Sequence, residues 1–460
     1  MKGFSEDTIC AQATPPGIGA IGVIRVSGKD SFKIVNHIFS KNLDSVERNT
    51  VHFGTIKTPN GEIIDEVLVT VFKAPHSYTG EDSIEISTHG SPYIIQRVLE
   101  LLIESGARMA KPGEFTMRAF LNKKLDLSQA EAVADVIASQ NEKALQTALN
   151  QLRGGFSKKI NKLREELIHF ASLIELELDF SEEDVEFADR TQLVELIDTI
   201  LAETHKLIMS FSYGNAIKKG IPIAIIGKPN AGKSTLLNAL LNEEKAIVSS
   251  IAGTTRDIIE DDLVVNGLNF RFIDTAGIRE TTNEIEKIGI ERTKEKIAQA
   301  EIVLAVLDAT DFSLSELEEL SKLLTGKRKK AVYIINKSDA ANPQHIENIL
   351  QKTGKPHISL SAKQKENIEL LKEKIYQLAE QYTDFSESDT VVTNTRHYEA
   401  LKKVSDALKK VKEGISMQTP GDLLAMDIRV ALFHLGEITG SEITPDDLLG
   451  NIFSRFCIGK

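Results

Sequence analysis

The spacing of apolar positions changes three times along the chain. Over residues 1–118 short β-rich runs such as IGAIGVIRVSG and EVLVTVFKAP are bounded by glycine and proline, which predicts strands. The PNG turn at Pro59–Gly61 predicts a hairpin. One helix is expected there, in YIIQRVLELLIESG. From LDLSQAEAVADVIASQNEKALQTALNQL onward the apolar residues recur every three or four positions with charges between them, so residues 119–218 read as helices. Residues 219–380 alternate strand and helix patterns, beginning with the buried-strand run IPIAIIG, as a parallel α/β domain does. The helical period returns over 381–460 in HYEALKKVSDALKKVKEG, LLAMDIRVALFHLGEITG and TPDDLLGNIFSRF. The fold class that follows is multidomain, α+β together with α/β. An N-terminal α/β domain precedes an all-α domain that is split in two by an inserted α/β domain.

Composition narrows this picture. A chain of 460 residues with 41% apolar content can bury several cores without disulfide or metal staples. Its two cysteines, Cys10 and Cys457, stand at opposite ends and fit neither a disulfide framework nor zinc spacing, which points to a reducing cytoplasm. The first residues, MKGFSEDTICAQATPPG, lack the apolar core of a signal peptide, and no apolar run reaches spanning length. A cytoplasmic protein with no membrane segment is expected. The net charge of -12 argues against a broad basic surface and confines any RNA contact to a local patch.

The inserted domain carries legible chemistry. GKPNAGKST, Gly227–Thr235, follows the strand run IAIIG and opens the helix LLNALL, the setting a P-loop requires. Its glycines let backbone N–H groups approach phosphate oxygens, Lys233 reaches the β and γ phosphates, and Ser234 offers a hydroxyl to magnesium. Asn230, Ala231, Gly232 and Thr235 complete the candidate contacts. DTAG follows the strand FRFI. There Asp274 can support magnesium and Gly277 can sense the γ phosphate, with Thr275 and Ala276 between them. NKSD follows AVYII, and Asp339 can accept from both N1–H and the exocyclic amine of guanine, a donor pair adenine lacks; Asn336 and Lys337 flank it. SAK, at Ser361, Ala362 and Lys363, occupies the usual place of a backbone contact to the guanine oxygen. Between the P-loop and DTAG lies SSIAGTTRD, where Thr255 is placed to close on magnesium when GTP is bound. The order of these elements predicts guanine over adenine.

Hydrolysis is less direct, because Ile278 follows DTAG where Ras-like enzymes carry a water-orienting glutamine. A monovalent cation or an acid from RETTNEIEKIG, Glu284 or Glu286, is the candidate substitute; a solvated helix-start charge is the more common fate of such acids.

The flanks are more specific. DTICAQATPPGIGAIGVIRVSG, SYTGEDSIEISTHGSP, KPGEFTMRAFLNKKLDLSQAEAVADVI and the terminal FCIGK closely resemble the MnmE (TrmE) family of tRNA-modification GTPases over essentially the whole chain. The resemblance implies a folate-binding and dimerisation domain over 1–118, helical parts over 119–218 and 381–460, and a GTPase domain over 219–380. It implies that the protein works with the FAD-containing, NADH-using partner MnmG in a heterotetrameric complex, and acts on C5 of the wobble uridine of certain tRNAs. An aminomethyl or carboxymethylaminomethyl group would be installed there, its methylene drawn from a 5,10-methylene- or 5-formyl-tetrahydrofolate. Carried over by motif, Arg25, Glu85, Lys124 and Lys460 would contact the folate. Asn230 and the loop Ser249, Ser250, Ile251, Ala252, Gly253 and Thr254 would surround the nucleotide and hold potassium, with Ser249, Ile251 and Thr254 as ligands. Ser234 and Thr255 would hold magnesium. Glu286 would help orient the attacking water beside Arg279. Cys457 could act as a nucleophile or acid/base if nearby cations lowered its pKa, or could instead pack as a small apolar residue beside Phe453 and Phe456. An Era- or EngA-type ribosome-assembly GTPase is the alternative, but no KH-like appendage is legible in the flanks.

Overall fold

The computed structural model describes residues 7–179, 190–241, 261–273, 297–324, 330–379, 390–441, 449, 452–453 and 456–459. The chain forms two compact units. One holds residues 1–138, 148–204 and 400–460, the other residues 139–147 and 205–399.

The first unit contains a six-stranded sheet made of β1 (Ile9–Gln12), β2 (Ile21–Ser27), β3 (Thr50–Lys57), β4 (Ile63–Phe72), β5 (Ser83–His89) and β6 (Arg108–Met109), in the order β3-β4-β5-β2-β1-β6. Neighbours run antiparallel except β1 and β6. The period-two pattern of β4 sends Val67, Val69 and Val71 inward. There they pack with Ile34, Val35 and Ile38 of the helix Ser31–Ile38 and with Ile95, Val98, Leu101 and Leu102 of the helix Pro92–Glu104. The hairpin expected at PNG joins β3 to β4, with Gly61 at φ +84° and its N–H bonded to the Thr58 carbonyl.

The opposite face of this sheet is divided. At the β1–β6 end, Ile9, Ala11, Ala110 and Phe115 form a small cluster with Tyr78. At the β3–β4 end Val51, Phe53 and Leu68 are exposed. Arg25 and Glu85 lie between, in one cross-strand row with Thr70 and Val51. The helical part of the unit includes Gly155–Asp179 and Gly421–Thr439, which pack along each other. A further cluster seats Leu449, Phe453 and Phe456 on Leu127 and Ala130 of the helix Leu127–Ala138.

The second unit is built on β7 (Ile221–Ile226), β8 (Asp261–Val265), β9 (Leu268–Phe272), β10 (Ile302–Asp308), β11 (Lys330–Asn336) and β12 (His357–Ser359), in the order β12-β11-β10-β7-β9-β8. All pairs are parallel except β8–β9. Every residue of β10 is buried, as continuous apolar runs covered on both faces must be. One face packs on the helices Lys233–Leu241 and Ile368–Leu378, with Tyr213, Ala216 and Ile217 completing that core. The other packs on Leu314–Leu324 and Gln344–Lys352. The strands expected at IPIAIIG, FRFI and AVYII are β7, β9 and β11.

Candidate functional site

The parallel sheet delivers its loops to the C-terminal ends of β7, β10 and β11, where ligands of open α/β sheets bind. After β7 the chain turns at Gly227, φ +149°, so close to β10 that a Cβ would stand 2.3 Å from the Val306 carbonyl oxygen. Asn230 is left-handed at φ +64°. Gly232, φ +91°, leaves room for the Asn336 amide, which a Cβ would meet at 2.1 Å. Only glycine fits these two positions, and the backbone they bare leads straight into the helix Lys233–Leu241. The N–H groups and dipole of its first turn suit a phosphate. Lys233 lies across this loop, its Nζ donating to the carbonyls of Gly227 (2.8 Å) and Lys228 (2.6 Å). Ser234 and Thr235 sit in the first turn, where a hydroxyl can face a phosphate-bound magnesium.

Asn336, buried at the end of β11, joins three motifs. Its Nδ2 donates to the Ala231 carbonyl (2.9 Å), and its Oδ1 accepts from the Ala362 N–H (3.0 Å). Ser361 donates its hydroxyl to Asp339 Oδ1 at 2.6 Å and accepts from the Gln364 N–H at 3.1 Å, which aims the carboxylate expected to read guanine. The P-loop, NKSD and SAK segments are therefore assembled into one site. Lys363 belongs to the same SAK turn, which the Ser361–Glu366 bridge closes.

Two acids at this site were not evident from the motifs. Asp308, at the end of β10, pairs with Lys337 Nζ at 2.5 Å and accepts the hydroxyl and N–H of Thr310. Burial pushes its carboxyl up, but the Lys337 and Thr310 hydrogen bonds and the Lys337 charge outweigh it and hold the carboxyl below the usual range. Glu316, buried on the next helix, meets Lys228 Nζ at 3.0 Å; burial raises its pKa although Lys228 opposes the shift. The available signal was positional, since Asp308 ends a seven-residue apolar strand where a charge needs a partner. Ser249–Thr255, Asp274–Gly277, Ile278, Arg279, Glu284 and Glu286 lie outside the described residues, as does Lys460.

In the first unit Arg25 and Glu85 meet as cross-strand neighbours. Arg25 Nε and Nη2 both approach Glu85 Oε1, at 2.9 and 2.8 Å. The guanidinium stands over the rings of Tyr78 (5.2 Å) and Phe115 (5.6 Å). Its Nη1 lies 3.4 Å from the Gly459 carbonyl, so a residue 434 positions away closes the group. Lys124 Nζ donates to the Pro75 carbonyl at 3.0 Å, in the loop that carries Tyr78. Cys457 is exposed rather than packed between Phe453 and Phe456, and its carbonyl accepts the Gly113 N–H at 3.4 Å. Cys10, by contrast, is buried, and burial pushes its thiol up to about 11 against the lowering charge of Arg108, which leaves it inert near neutrality. Among the described residues no group of His, Cys, Asp and Glu could hold a metal ion, and no helix is long and apolar enough to cross a membrane.

A glycine-lined phosphate cradle at a helix start, tied by Asn336 to an aimed aspartate and a SAK turn, defines the class: a P-loop GTPase. Comparison gives the family. The model described as MnmE helical domain matches residues 127–457, and that described as GTP-binding protein TrmE N-terminus matches residues 8–124. A protein of Cytophaga hutchinsonii named tRNA modification GTPase MnmE is 58% identical over 457 residues, covering 99% of this chain and 98% of its own. One of the same name from Flavobacterium johnsoniae is 54% identical over 468 residues, covering 99% and 100%. The chain belongs to the MnmE family of GTPases, and it combines that family's N-terminal and helical domains with a P-loop GTPase fold. Among solved structures, the G domain of the T. maritima FeoB iron transporter is 26% identical with a TM-score of 0.27, covering 35% of this chain and 98% of its own. Era in complex with MgGDPNP and a 16S ribosomal RNA segment is 28% identical, also at 0.27, covering 40% and 66%.

Proposed function

We propose that this protein is a potassium-dependent GTPase that modifies C5 of the wobble uridine of certain tRNAs. In this reading it works with the FAD-containing partner MnmG and a tetrahydrofolate one-carbon unit, in the cytoplasm. The observation that carries the proposal is that one chain, similar along 99% of its length to tRNA modification GTPases, places a GTP cradle in one unit and a partly exposed acid–base pair in the other. The domain limits we assign are 1–118, 119–218, 219–380 and 381–460.

In the GTPase domain Ser234 and Thr255 hold magnesium. Potassium, bound by Asn230, Ser249, Ile251 and Thr254, supplies beside the phosphates the charge that an arginine finger brings elsewhere. Asn230 stands within the phosphate loop in a left-handed conformation, φ +64°, which supports this role. Glu286 and Arg279 serve the attacking water. In the N-terminal domain Glu85 receives the pterin donors, Arg25, Lys124 and Lys460 the glutamate tail, and Cys457 stands at the modification site. The exposed Val51, Phe53 and Leu68 on the open sheet face support homodimerisation beside the Arg25–Glu85 row. No observation favours the ribosome-assembly alternative, since both flanks of the GTPase domain match this family. Hydrolysis by the purified protein, measured in potassium and in sodium at equal ionic strength, tests the cation role: faster turnover in potassium is expected, and equal rates would refute it. Reconstitution with tRNA, MnmG, GTP, 5,10-methylenetetrahydrofolate and glycine or ammonium as the nitrogen source tests the product, a C5-substituted uridine.

A further inference from the structure

The two buried acids of the GTPase unit belong to one stretch of chain, Asp308–Glu316, which runs from the end of β10 into the helix Leu314–Leu324. Each takes a lysine from a different nucleotide loop. Asp308 is 8% exposed and holds Lys337 of the base loop NKSD, Nζ to Oδ2 at 2.5 Å, while its Oδ1 accepts the Thr310 hydroxyl at 2.6 Å and the Thr310 N–H at 2.9 Å. Glu316 is 3% exposed and meets Lys228 of the phosphate loop at 3.0 Å. The Lys228 ammonium also donates to the Ser313 hydroxyl at 3.3 Å. The base loop and the phosphate loop are thus fastened to the two ends of the same stretch.

Both fastenings hold something that would not keep its place alone. Lys337 is left-handed, φ +66°, a region that strains a residue with a long side chain. Its carbonyl accepts the N–H groups of Ala340 and Ala341, so the turn fixes its backbone and Asp308 fixes its ammonium. The side chain becomes a strut from the base loop to β10, and the same turn carries Asp339. At the other end, a buried carboxylate without a partner is costly, and among the described residues Oε1 of Glu316 accepts no hydrogen bond, so the Lys228 charge is what retains it. Lys233 Nζ rests on the Lys228 carbonyl at 2.6 Å. When Lys233 turns to a phosphate that carbonyl loses its donor, and the Glu316 pair is the tether left on this limb of the loop.

We propose that Asp308 and Glu316 are positioning residues of one clasp: Asp308 acts through Lys337 to hold Asp339 in register with the guanine base, and Glu316 acts through Lys228 to hold the phosphate loop open. The two ends have different chemical consequences. Losing Asp308 blurs which base is accepted. Losing Glu316 weakens every nucleoside diphosphate alike, because the phosphates are common to all of them. Inosine diphosphate separates the two effects, since inosine keeps the ring N1–H but lacks the exocyclic amine that Asp339 accepts, and a site built to bond that amine rejects the analogue without it.

The test titrates fluorescent GDP and inosine diphosphate onto the full-length protein and follows their release by stopped flow. Wild type, Asp308→Asn, Glu316→Gln and Lys337→Met are compared, with thermal melting as the folding control. Asp308→Asn is expected to speed GDP release about tenfold and to lower the preference for GDP over inosine diphosphate about threefold or more. Glu316→Gln is expected to weaken both ligands about tenfold and to leave their ratio unchanged. Lys337→Met keeps the apolar stem and removes the ammonium, so it reproduces Asp308→Asn, and combining the two adds nothing further. Additive effects in that double variant overturn the action of Asp308 through Lys337, and so does an unchanged preference in Asp308→Asn. A preference lowered by Glu316→Gln as strongly as by Asp308→Asn overturns the separation of the two ends, and wild-type binding in Glu316→Gln removes Glu316 from the clasp. If Asp308→Asn does not fold, Lys337→Met tests the base end, where wild-type release and preference overturn the proposal.

Discussion

The phosphate cradle and the Arg25–Glu85 group are assembled from opposite kinds of sequence. The cradle is a single turn, Gly227–Thr235, whose working parts are largely backbone N–H groups and the two glycines that bare them. The Arg25 group draws on β2, β5, the loop carrying Tyr78, the helix holding Phe115 and the end of the chain. A site made of contiguous backbone is written in a motif. A site made of side chains gathered across a sheet exists only when the fold exists, and single residues in it look like ordinary surface charges until then. The difference also sets fragility: the cradle should fail through one side chain, the sheet site through any of several distant ones.

Lys233→Ala should have the largest effect. Removing the cation aimed at the phosphates should slow GTP hydrolysis by about a hundredfold or more, checked by phosphate release at saturating GTP. Asp339→Asn should come next. It replaces an acceptor carboxylate by an amide that presents a donor to guanine, and should weaken GDP affinity by about a hundredfold, as the loss of charged hydrogen bonds predicts. A fluorescent-nucleotide titration with guanine and xanthine forms would show the preference shift toward xanthine. Glu85→Gln should be milder, with about tenfold weaker 5-formyltetrahydrofolate binding by calorimetry, since an amide retains one acceptor.

The smallest effect concerns His89, beside the same sheet face. Its Nδ1 lies 2.7 Å from Asp65 Oδ1, and that hydrogen bond and charge raise the imidazole pKa. The pair therefore stabilises the fold fully below the ordinary histidine value of about 6.5, and the contribution disappears as pH rises through the raised value. The melting temperature should fall slightly as pH rises above the ordinary histidine range, and this component should be absent in His89→Gln. In the GTPase unit the sign reverses. Asp308, held low by Lys337, stabilises above the ordinary carboxylate range and is lost toward acid.

Much of the architecture was legible because period carries it. Alternation in EVLVTVF became β4, the buried-strand run IPIAIIG became β7, and the PNG turn became a hairpin. The nucleotide site was legible down to Asn336, whose two hydrogen bonds tie together segments already identified as motifs. The acids Asp308 and Glu316 were not, because their roles come from burial and a lysine brought in by tertiary contact. Nor was the close backbone approach at Gly113 and Gly459, since a glycine's need for space appears only when the opposing backbone is in place. Cys457 invited an apolar reading beside two phenylalanines, yet the phenylalanines turn inward to Leu127 while the thiol faces solvent.

The GTP cradle is proposed to serve the modification of tRNA. Nucleoside mass spectrometry of tRNA from cells lacking this gene, rescued with the intact gene or with Lys233→Ala, tests it most directly. C5-substituted wobble uridines should vanish in the deletion, return with the intact gene and stay absent with Lys233→Ala. Unchanged nucleosides in the deletion, or full restoration by Lys233→Ala, would contradict it.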